Sequence, residues 1–495
     1  MKWHTLLAIA ASLSLSQPAD GLSIGRRQEG LKVLGLETQR RAPRNPVHRD
    51  RLRKRGELPI GLDNEETLYF INATVGTPAT ALRLHLDTGS SDMWVNTPTS
   101  AYCSSKSKPC AFAGTYSANA SSTSEYVGSY FNISYVDGSG ASGDYVSDTV
   151  TIGGHKIDRL QFGVGYQSTN AQGIMGIGYP LNEVQVGRAG LRAYNNLPAQ
   201  LVADGVIQSK AYSLWLNDLD ANTGSILFGG VDAAKYTPPL LSLPVEPQSG
   251  VYSEFFITLT GLQLGSTAIG SDLALAVLLD SGSSLTYLPD SLVQSIYAAV
   301  GAVYDSDANA AYVPCALADD ASAAPLNFTF TTATISVAMR ELVLDLVTSS
   351  GQRPTFSNGA AACLFGIGPA GSGASAGGSG SSAGTSVLGD TFLRSAYVVY
   401  DLDNNYVSLA PTRFNSSESR VLEIGTGAAA VPGATKVQNP VRATEGLRGS
   451  GNGSSALSAS AAAAAGRWGA VGSAAGGSAG LSAWRSLRPP PWWGD

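Results

Sequence analysis

Residues 84–91 of this 495-residue chain have the sequence LHLDTGSS, and residues 277–284 have the similar sequence VLLDSGSS. In each stretch an aspartate ends an apolar run and is followed by a small hydroxyl residue and a glycine. Short apolar runs that end in turn residues are typical of buried β-strands. The two aspartates, Asp87 and Asp280, are 193 positions apart. This repetition predicts two similar half-molecules that bring their carboxylates together.

The composition is that of a β-rich protein with more than one domain. Apolar residues make up 43% of the chain and charged residues 14%, a balance that favours an exported β protein over a helical cytosolic one. Short β-favouring runs separated by turn residues extend from residue 67 to residue 412. A helical pattern is clearest at residues 292–300. We therefore expect an all-β protein with two lobes.

The net charge of −6 conceals an uneven distribution along the chain. Residues 1–55 contain 12 Lys+Arg and 4 Asp+Glu, whereas residues 56–412 contain 12 Lys+Arg and 30 Asp+Glu. A basic leader on an acidic body predicts a pro-segment whose cations dock against carboxylates of the cleft and body. The acidic body would repel a phosphate backbone, so nucleic acid is not an expected partner.

The leader has two parts. Residues 1–20 have the layout of a secretory signal peptide, and residues 21–55 form a basic propeptide that ends in RLRKR, which predicts cleavage after Arg55. The alternatives are a short buried helix for the first part and a solvated charge run for the second. Since no later stretch has the roughly 18 apolar residues of a membrane span, the protein is expected to be secreted and extracellular.

The body divides into an N-terminal lobe at residues 56–250 and a C-terminal lobe at residues 251–412. A Gly/Ser-rich insertion at residues 366–386 is expected to be flexible, and the low-complexity tail at residues 413–495 to be disordered. Such a tail could attach the protein to a membrane or cell wall through a lipid anchor. Its end, SLRPPPWWGD, lacks the hydrophobic terminus that an anchor signal requires, so attachment stays open.

Two further features fit the secretory route. An even number of cysteines in an exported protein favours disulfides, and the simplest of the three possible connectivities is the local pairing Cys103–Cys110 and Cys315–Cys363. Sequons for N-glycosylation occur at Asn72, Asn119, Asn132, Asn327, Asn415 and Asn452.

A pair of carboxylates has a defined chemistry. Two such groups within hydrogen-bond distance cannot both ionise cheaply, so they share one proton near acidic pH. The ionised member can take a proton from water, while the protonated member bonds the substrate carbonyl and later assists the leaving amine. Such a pair hydrolyses a peptide bond with no covalent intermediate, metal or cofactor.

The residues after each aspartate fit this chemistry. We expect the first hydroxyl residue to link the two loops, the glycine N–H to bond the carboxylate, and the next serine to hold the outer carboxylate oxygen. These residues are Thr88, Gly89 and Ser90 in the first motif and Ser281, Gly282 and Ser283 in the second.

From about residue 64 to residue 412 the chain resembles the pepsin-like aspartic endopeptidases, and among them the secreted yapsin-like and candidapepsin-like enzymes of fungi. The resemblance is carried by both motifs, the first extended to DTGSSDMWV, and by an apolar-apolar-glycine element after each, at residues 174–176 and 387–389. It implies two pseudo-symmetric β-barrel-like lobes with a cleft between them, catalysis by Asp87 and Asp280, and inhibition by pepstatin.

The resemblance also implies a flap. It places Tyr135 on a β-hairpin that closes over the substrate, with Trp94 as its hydrogen-bond partner, and it includes Gly89 and Gly282 among the substrate-binding residues. The next residues, VDGS, differ from the Tyr-Gly opening that is commoner in the family. An acidic residue at this tip can pair with a Lys or Arg before the scissile bond, so Asp137 is a candidate specificity residue. The alternative is a turn aspartate with a local hydrogen bond.

Other classes of protein are less consistent with the sequence. His85 and His155 are the only histidines after the leader, and neither accompanies a serine nucleophile or a metal cluster, which disfavours a Ser-His-Asp hydrolase. A non-enzymatic binding protein of the pepsin fold would be expected to lack an aspartate of the pair or Tyr135, and a structural wall glycoprotein gives no reason for two matched motifs. We expect a monomeric zymogen that, after removal of its own propeptide, cleaves protein or peptide substrates.

Overall fold

The fold is described from a computed structural model. The structure describes residues 31–41, 68–135, 139–221, 223–306, 308–346, 353–370, 372–373 and 382–447. The predicted signal peptide, the cleavage site after Arg55, Asp137 and the sequon at Asn452 lie outside these residues.

The strands up to residue 244 alternate short apolar runs with turns. They are β1 (Leu34–Arg41), β2 (Leu68–Val75), β3 (Thr80–Asp87), β4 (Met93–Asn96), β5 (Glu125–Ser134), β6 (Gly140–Ile152), β7 (His155–Ser168), β8 (Gly173–Gly176), β9 (Ala211–Trp215), β10 (Thr223–Phe228), β11 (Gly230–Asp232) and β12 (Leu240–Pro244).

The strands of the second half follow the same pattern. They are β13 (Phe256–Leu259), β14 (Gly261–Leu264), β15 (Thr267–Gly270), β16 (Leu275–Leu279), β17 (Thr286–Leu288), β18 (Val303–Asp305), β19 (Ala310–Pro314), β20 (Leu326–Phe330), β21 (Ala333–Val337), β22 (Val343–Leu344), β23 (Ala362–Phe365), β24 (Ile367–Pro369), β25 (Ser372–Gly373), β26 (Ser382–Ala383), β27 (Val387–Leu388), β28 (Ala396–Asp401), β29 (Tyr406–Pro411), β30 (Val421–Glu423) and β31 (Ala434–Lys436).

Helices are short in the described part of the chain. The α-helices are α1 (Val184–Ala189), α2 (Leu197–Ala203), α3 (Asp290–Val300), α4 (Met339–Leu342) and α5 (Asp390–Leu393). The longest, α3, contains the segment for which the sequence predicts a helix, and it buries Val293, Ile296 and Tyr297 on one face. Among the described residues, no helix combines the length and apolar character needed to cross a membrane.

One long sheet joins the two halves of the molecule. Its order is β31-β12-β29-β28-β9-β10-β1-β2-β3-β8-β4-β7-β6-β5. The hairpin β9–β10 of the first half and the hairpin β28–β29 of the second half are neighbours in this sheet through the antiparallel pairing of β9 with β28. The second half also forms a five-stranded sheet, β13-β16-β27-β17-β24, which holds the second aspartate motif.

Both expected disulfides are present. Cys103 is bonded to Cys110 and Cys315 to Cys363. The only group of three potential metal ligands among the described residues consists of Cys315, Asp345 and Cys363. Since its two cysteines are bonded to each other, they are not available to hold a metal ion.

The described part of the leader joins the body as a strand. Leu34–Arg41 forms β1 inside the long sheet, with six residue pairs to β10 and three to β2. Electrostatic docking stays a prediction, because the basic residues from Arg44 to Arg55 lie outside the described residues. The alternating pattern of β1 buries Leu34 and Leu36. Backbone pairing and apolar contact therefore hold this part of the leader. This strand was not predicted from the sequence because the basic residues dominate the local pattern.

The predicted insertion at residues 366–386 begins too early. Ile367–Pro369 forms β24, which pairs in parallel with β17, and Ile367 is buried. Farther along, β25 pairs with β26, and Ser386 is buried again. The Gly/Ser-rich composition thus includes residues at both ends that belong to the folded lobe.

The predicted disordered tail also begins too early. Residues 413–447 are ordered on the body, where β30 pairs with β11 and β31 pairs with β12. Ile424 and Val437 are buried among residues of the body. These apolar residues are widely spaced in a segment rich in small residues, so composition alone did not distinguish it from the rest of the tail, which lies outside the described residues.

Candidate active site

The two motif aspartates occupy equivalent positions in the two halves. Asp87 is the last residue of β3, and Asp280 directly follows β16. Each strand has a parallel neighbour formed by an apolar-apolar-glycine element, β8 beside β3 and β27 beside β16. The N–H of Ile177 donates to the Asp87 carbonyl at 3.0 Å, and the N–H of Asp280 donates to the Leu388 carbonyl at 3.1 Å. The repeated motif therefore corresponds to a repeated structure.

The two carboxylates lie against each other's loops. A Cβ atom placed on Gly89 would lie 2.5 Å from Oδ1 of Asp280, and one placed on Gly282 would collide with Oδ1 of Asp87. No side chain other than hydrogen fits at either position. Both aspartates are buried, at 2% and 8% exposure. The two Oδ1 atoms are therefore the inner oxygens of a facing pair.

Each carboxylate is held by its own motif. The N–H of Gly89 donates to Oδ1 of Asp87 at 2.8 Å, and the hydroxyl of Ser90 donates to Oδ2 at 2.5 Å. The equivalent bonds in the second motif, from Gly282 and Ser283 to Asp280, are both 2.7 Å. These contacts match the expected ones and fix the orientation of both carboxylates.

Thr88 and Ser281 tie the two loops together by an exchange of hydrogen bonds. The Thr88 hydroxyl accepts from the N–H of Ser281 and donates to the Leu279 carbonyl, both at 3.0 Å. The Ser281 hydroxyl accepts from the N–H of Thr88 at 3.2 Å and donates to the Leu86 carbonyl at 3.0 Å. Every one of these groups is buried, so the bonds form away from competing water.

The flap lies on the hairpin of β5 and β6. The N–H of Tyr135 donates to the Ser139 carbonyl at 2.8 Å across the tip, and Nε1 of Trp94 donates to the Tyr135 hydroxyl at 2.7 Å. The structure thus forms the tyrosine–tryptophan contact that the resemblance implied. Asp137 lies outside the described residues.

A second buried acidic group lies beside the first motif, and sequence reasoning missed it. Asp92 accepts hydrogen bonds from the Tyr145 hydroxyl at 2.5 Å, the Tyr194 hydroxyl at 3.0 Å and the N–H of Val184 at 2.8 Å. Tyr145 lies on β6, so this carboxylate joins the base of the flap to the motif loop. The one available signal was that Leu285 occupies the position in the second motif that corresponds to Asp92.

Two neighbouring buried carboxyl groups, those of Asp92 and Glu183, have raised pKa values. Burial raises the pKa of Asp92, although the hydrogen bonds from Tyr145, Val184 and Tyr194 oppose that change. Burial also raises the pKa of Glu183 from the ordinary value of 4.5 to about 9, against the effect of the N–H of Tyr194. Glu183 is 1% exposed, so its neutral form is the one that this site stabilises.

The predicted sequons differ in exposure. Asn119, Asn132 and Asn415 are exposed, whereas Asn72 and Asn327 are half-buried. The Asn327 side chain accepts a hydrogen bond from Ser336 at 2.6 Å. The first three offer the more accessible side chains for glycosylation.

A two-lobed β fold in which two motif aspartates face each other is the architecture of the pepsin-like aspartic proteinases. The chain belongs to the eukaryotic aspartyl protease family, whose model matches residues 68–412. The family, the two-lobed β fold and the class of enzyme, an aspartic endopeptidase, were all predicted from the sequence and are confirmed.

Several fungal proteins are similar over most of the chain. The probable aspartic-type endopeptidase opsB of Aspergillus oryzae is 52% identical over 449 residues, which cover 89% of this chain and 88% of that protein. Candidapepsin-3 of Candida albicans is 35% identical over 373 residues, covering 74% and 85%. The crystal structure of an aspartic proteinase from Irpex lacteus has a TM-score of 0.57, covers 78% of this chain and 100% of its own, and is 23% identical, a likeness of fold alone.

Replacing Ser281 tests the link between the two loops. Ser281→Ala leaves the Thr88 N–H and the Leu86 carbonyl buried without their partner, so we expect the free energy of unfolding to fall by about 1–3 kcal/mol. Since small misplacements of reacting groups are costly, kcat/KM should fall about tenfold or more. Chemical denaturation and a peptide-hydrolysis assay measure the two effects. Ser281→Thr keeps the hydroxyl and should stay within a few-fold of wild type; equal behaviour of the two variants would contradict the role of the link.

Replacing Glu183 tests whether burial raises the pKa of its carboxyl group. Because its pKa is about 9 when folded and 4.5 ordinarily, its contribution to stability is fully present below about pH 4.5 and is lost as the pH rises toward 9. Glu183→Gln should therefore flatten the decline of melting temperature between about pH 5 and pH 8. The exposed Glu125→Gln is the control and should keep the wild-type decline. An unchanged slope in Glu183→Gln would show that this carboxyl does not titrate as expected.

Proposed function

We propose that this aspartic endopeptidase is a secreted zymogen in which Asp87 and Asp280 activate a water molecule to hydrolyse peptide bonds at acidic pH. The observation that carries the proposal is the placement of each Oδ1 atom against the glycine of the opposite motif. Two carboxylates in this arrangement share a proton, and the pair is then ready to act as base and acid in one step.

The hydrogen bonds of the site support a division of labour between oxygens. The serines hold the outer Oδ2 atoms, so the inner Oδ1 atoms remain directed toward the space where a water molecule would lie between the two loops. The ionised carboxylate takes a proton from that water as it attacks the peptide carbon. The protonated carboxylate donates to the carbonyl oxygen, and a proton then passes to the leaving amine.

The flap supplies the cover that this reaction needs. In the proposed mechanism an extended peptide lies in the cleft, and Tyr135 closes over it while Trp94 holds the tyrosine hydroxyl. The base of the flap is tied to the motif loop through Asp92 and Tyr145. Excluding bulk water from the cleft strengthens the hydrogen bonds on which the transition state depends.

The position of β1 supports the zymogen proposal. This strand belongs to the proposed propeptide and lies between β2 and β10, so its release would uncover a strand edge on each side. Burial lowers the pKa of Arg40 on β1, and the charges of Asp390 and Glu341 oppose that effect. The two carboxylates therefore offset part of the cost of burying the Arg40 cation. Cleavage after Arg55 would then separate the leader from the mature enzyme, which we propose acts as a monomer.

Secretion is supported by several independent features. The chain starts with a signal-peptide pattern, its four cysteines form two disulfides, and three sequons are exposed. One similar protein is named secreted aspartic protease 3 of Candida albicans, at 35% identity over 373 residues. Attachment to the cell surface is a separate hypothesis that depends on the tail beyond the described residues.

Activity of aspartate variants at acidic pH tests the mechanism. Full-length protein incubated at about pH 4 should lose its leader and cleave a peptide, with much less activity at about pH 7 and none in the presence of pepstatin. Asp87→Asn and Asp280→Asn should each lower kcat about a thousandfold or more and should leave the leader attached, as measured by intact mass. Substantial activity in either variant would contradict the mechanism.

Cleavage-site profiling tests the role proposed for Asp137 in preferring basic residues. If Asp137 pairs with a Lys or Arg before the scissile bond, Asp137→Ala should reduce the preference for those residues about fivefold. Asp319→Ala, which removes an equal charge at an exposed position of the second lobe, should leave the profile unchanged. An unaltered preference in Asp137→Ala would remove this role and leave the catalytic proposal intact.

A further inference from the structure

The segment that follows the region matched by the family model, residues 68–412, is part of the folded protein. Residues 413–447, here called the C-terminal strap, begin one residue after the matched region ends at 412. Its strand β30 pairs with β11. Asp232, at the end of β11, accepts hydrogen bonds from the Ser419 hydroxyl and the Arg420 N–H, both at 2.7 Å. The start of the strap is thus tied to the first half of the chain.

The middle of the strap covers one face of the long sheet. On β28, Val398 and Tyr400 face the main core, whereas Tyr397 and Val399 face the opposite side. The apolar cluster on that side includes Ile424 and Ala430 of the strap; its other large members are Trp215, Tyr236 and Leu240. The strap therefore shields an apolar surface that would otherwise meet water.

The end of the strap reaches the strand that leads to Asp280. The N–H groups of Thr444 and Glu445 donate to the Ala274 carbonyl at 2.8 and 3.1 Å, and the Ala276 N–H donates to the Glu445 carbonyl at 2.8 Å. Glu445 forms a parallel bridge with Leu275, the first residue of β16. The strap thus adds a partner to β16 on the edge that β27 occupies nearer the aspartate.

The first lobe supports its strand at the equivalent point with a different segment. Arg83 precedes Asp87 by the same four positions that separate Ala276 from Asp280, and its N–H donates to the Ala113 carbonyl at 2.8 Å. Ala113 lies in the loop that follows the Cys103–Cys110 disulfide. The bond from β16 to the strap is therefore the counterpart, in the second lobe, of a bond that the first lobe makes within itself.

A buried glutamate gives the strap a second contact with the same sheet. Glu246, at 4% exposure, accepts from the Thr258 hydroxyl at 2.8 Å and from the Ala443 N–H at 3.3 Å, and it pairs with Arg442 at 3.5 Å. Thr258 is on β13, directly opposite Ala276 in the pairing with β16. The end of the strap therefore contacts β16 itself and, through Glu246, the strand on its other edge.

We infer that residues 442–447 of the strap position β16 and, through it, Asp280. β27 contributes only two residue pairs to β16, whereas β8 contributes four to β3, so the second aspartate strand depends more on outside support. The strap supplies that support four residues before the aspartate. This inference rests on the proposed role of Asp280 and extends the functional unit beyond the region matched by the family.

A glycine substitution in the full-length chain separates this positioning role from general stability. Gly446 has a φ of +80°, and a Cβ atom there would lie 2.7 Å from the Ala276 carbonyl oxygen. Gly427, also in the strap, has a φ of +84°, with no atom within 4 Å of such a Cβ. Gly446→Ala and Gly427→Ala therefore carry the same left-handed backbone strain, and only the first pushes the strap away from β16.

The expected results differ between the two variants. Gly427→Ala should keep the wild-type kcat, whereas Gly446→Ala should lower kcat about tenfold, with KM within about twofold, because substrate contacts stay while one carboxylate is displaced. A changed separation of the aspartates should also shift the pH profile of kcat/KM. All rates are measured well below the melting temperature of each variant. Equal kcat and equal pH profiles in the two variants would overturn the inference.

Two truncations keep the test decisive if Gly446→Ala folds poorly. Removing residues 448–495 leaves the whole strap and should preserve activity, whereas removing residues 438–495 keeps β30, β31 and Val437 but deletes the contacts with β16 and Glu246. The shorter chain should show the same loss of kcat. Full activity in it would overturn the inference. Wild-type rates in Asp280→Asn would instead contradict the proposed function on which the inference rests.

Discussion

The exchange of hydrogen bonds between Thr88 and Ser281 is the interaction on which the rest of the site depends. Two buried carboxylates repel each other when both are ionised, so the fold must hold them together against that repulsion. Each of the two hydroxyls donates to one carbonyl and accepts one N–H from the opposite loop. Because all four bonds lie between the halves, the distance between the aspartates is set by two short, buried side chains that bond to the backbone of the opposite loop.

The two halves are alike at the aspartates and differ in what surrounds them. In the first half, Asp92 joins the motif loop to Tyr145 on the flap and to Tyr194. In the second half, Leu285 takes the corresponding position and lies in a small apolar cluster with Tyr287. The half that carries the flap thus has a polar anchor, whereas the other half packs on apolar residues and receives the end of the strap.

The sequence predicted best those residues whose role depends on neighbours within a few positions along the chain. The paired motifs predicted two similar halves with facing aspartates and the contacts of Thr88 and Ser281, because each role depends on residue type at a fixed short spacing. The pepsin-like fold itself was implied by the family resemblance that these motifs carry. The helix α3 was predictable because its buried residues, Val293, Ile296 and Tyr297, recur at helical spacing.

The features that were missed depend on partners far away in the chain. The leader strand β1 pairs with β10, about 190 positions later, and its basic residues dominate the local pattern. Ile424 and Val437 are isolated apolar residues in a segment of small residues, and only their burial in the body shows that this segment is folded. Asp92 could have been noticed by its mismatch with Leu285, but the meaning of that mismatch depends on Tyr145 and Tyr194.

The composition of the frame around the aspartates has a consequence for tolerance to acid. The groups that hold the pair are alcohol hydroxyls and peptide amides, from Thr88, Ser90, Gly89 and their counterparts in the second motif. None of these groups gains or loses a proton between about pH 2 and pH 8. A frame built from ion pairs would weaken as its carboxylates became protonated. The hydroxyls and amides that align the two aspartates therefore keep their own protonation state in strongly acidic solvent.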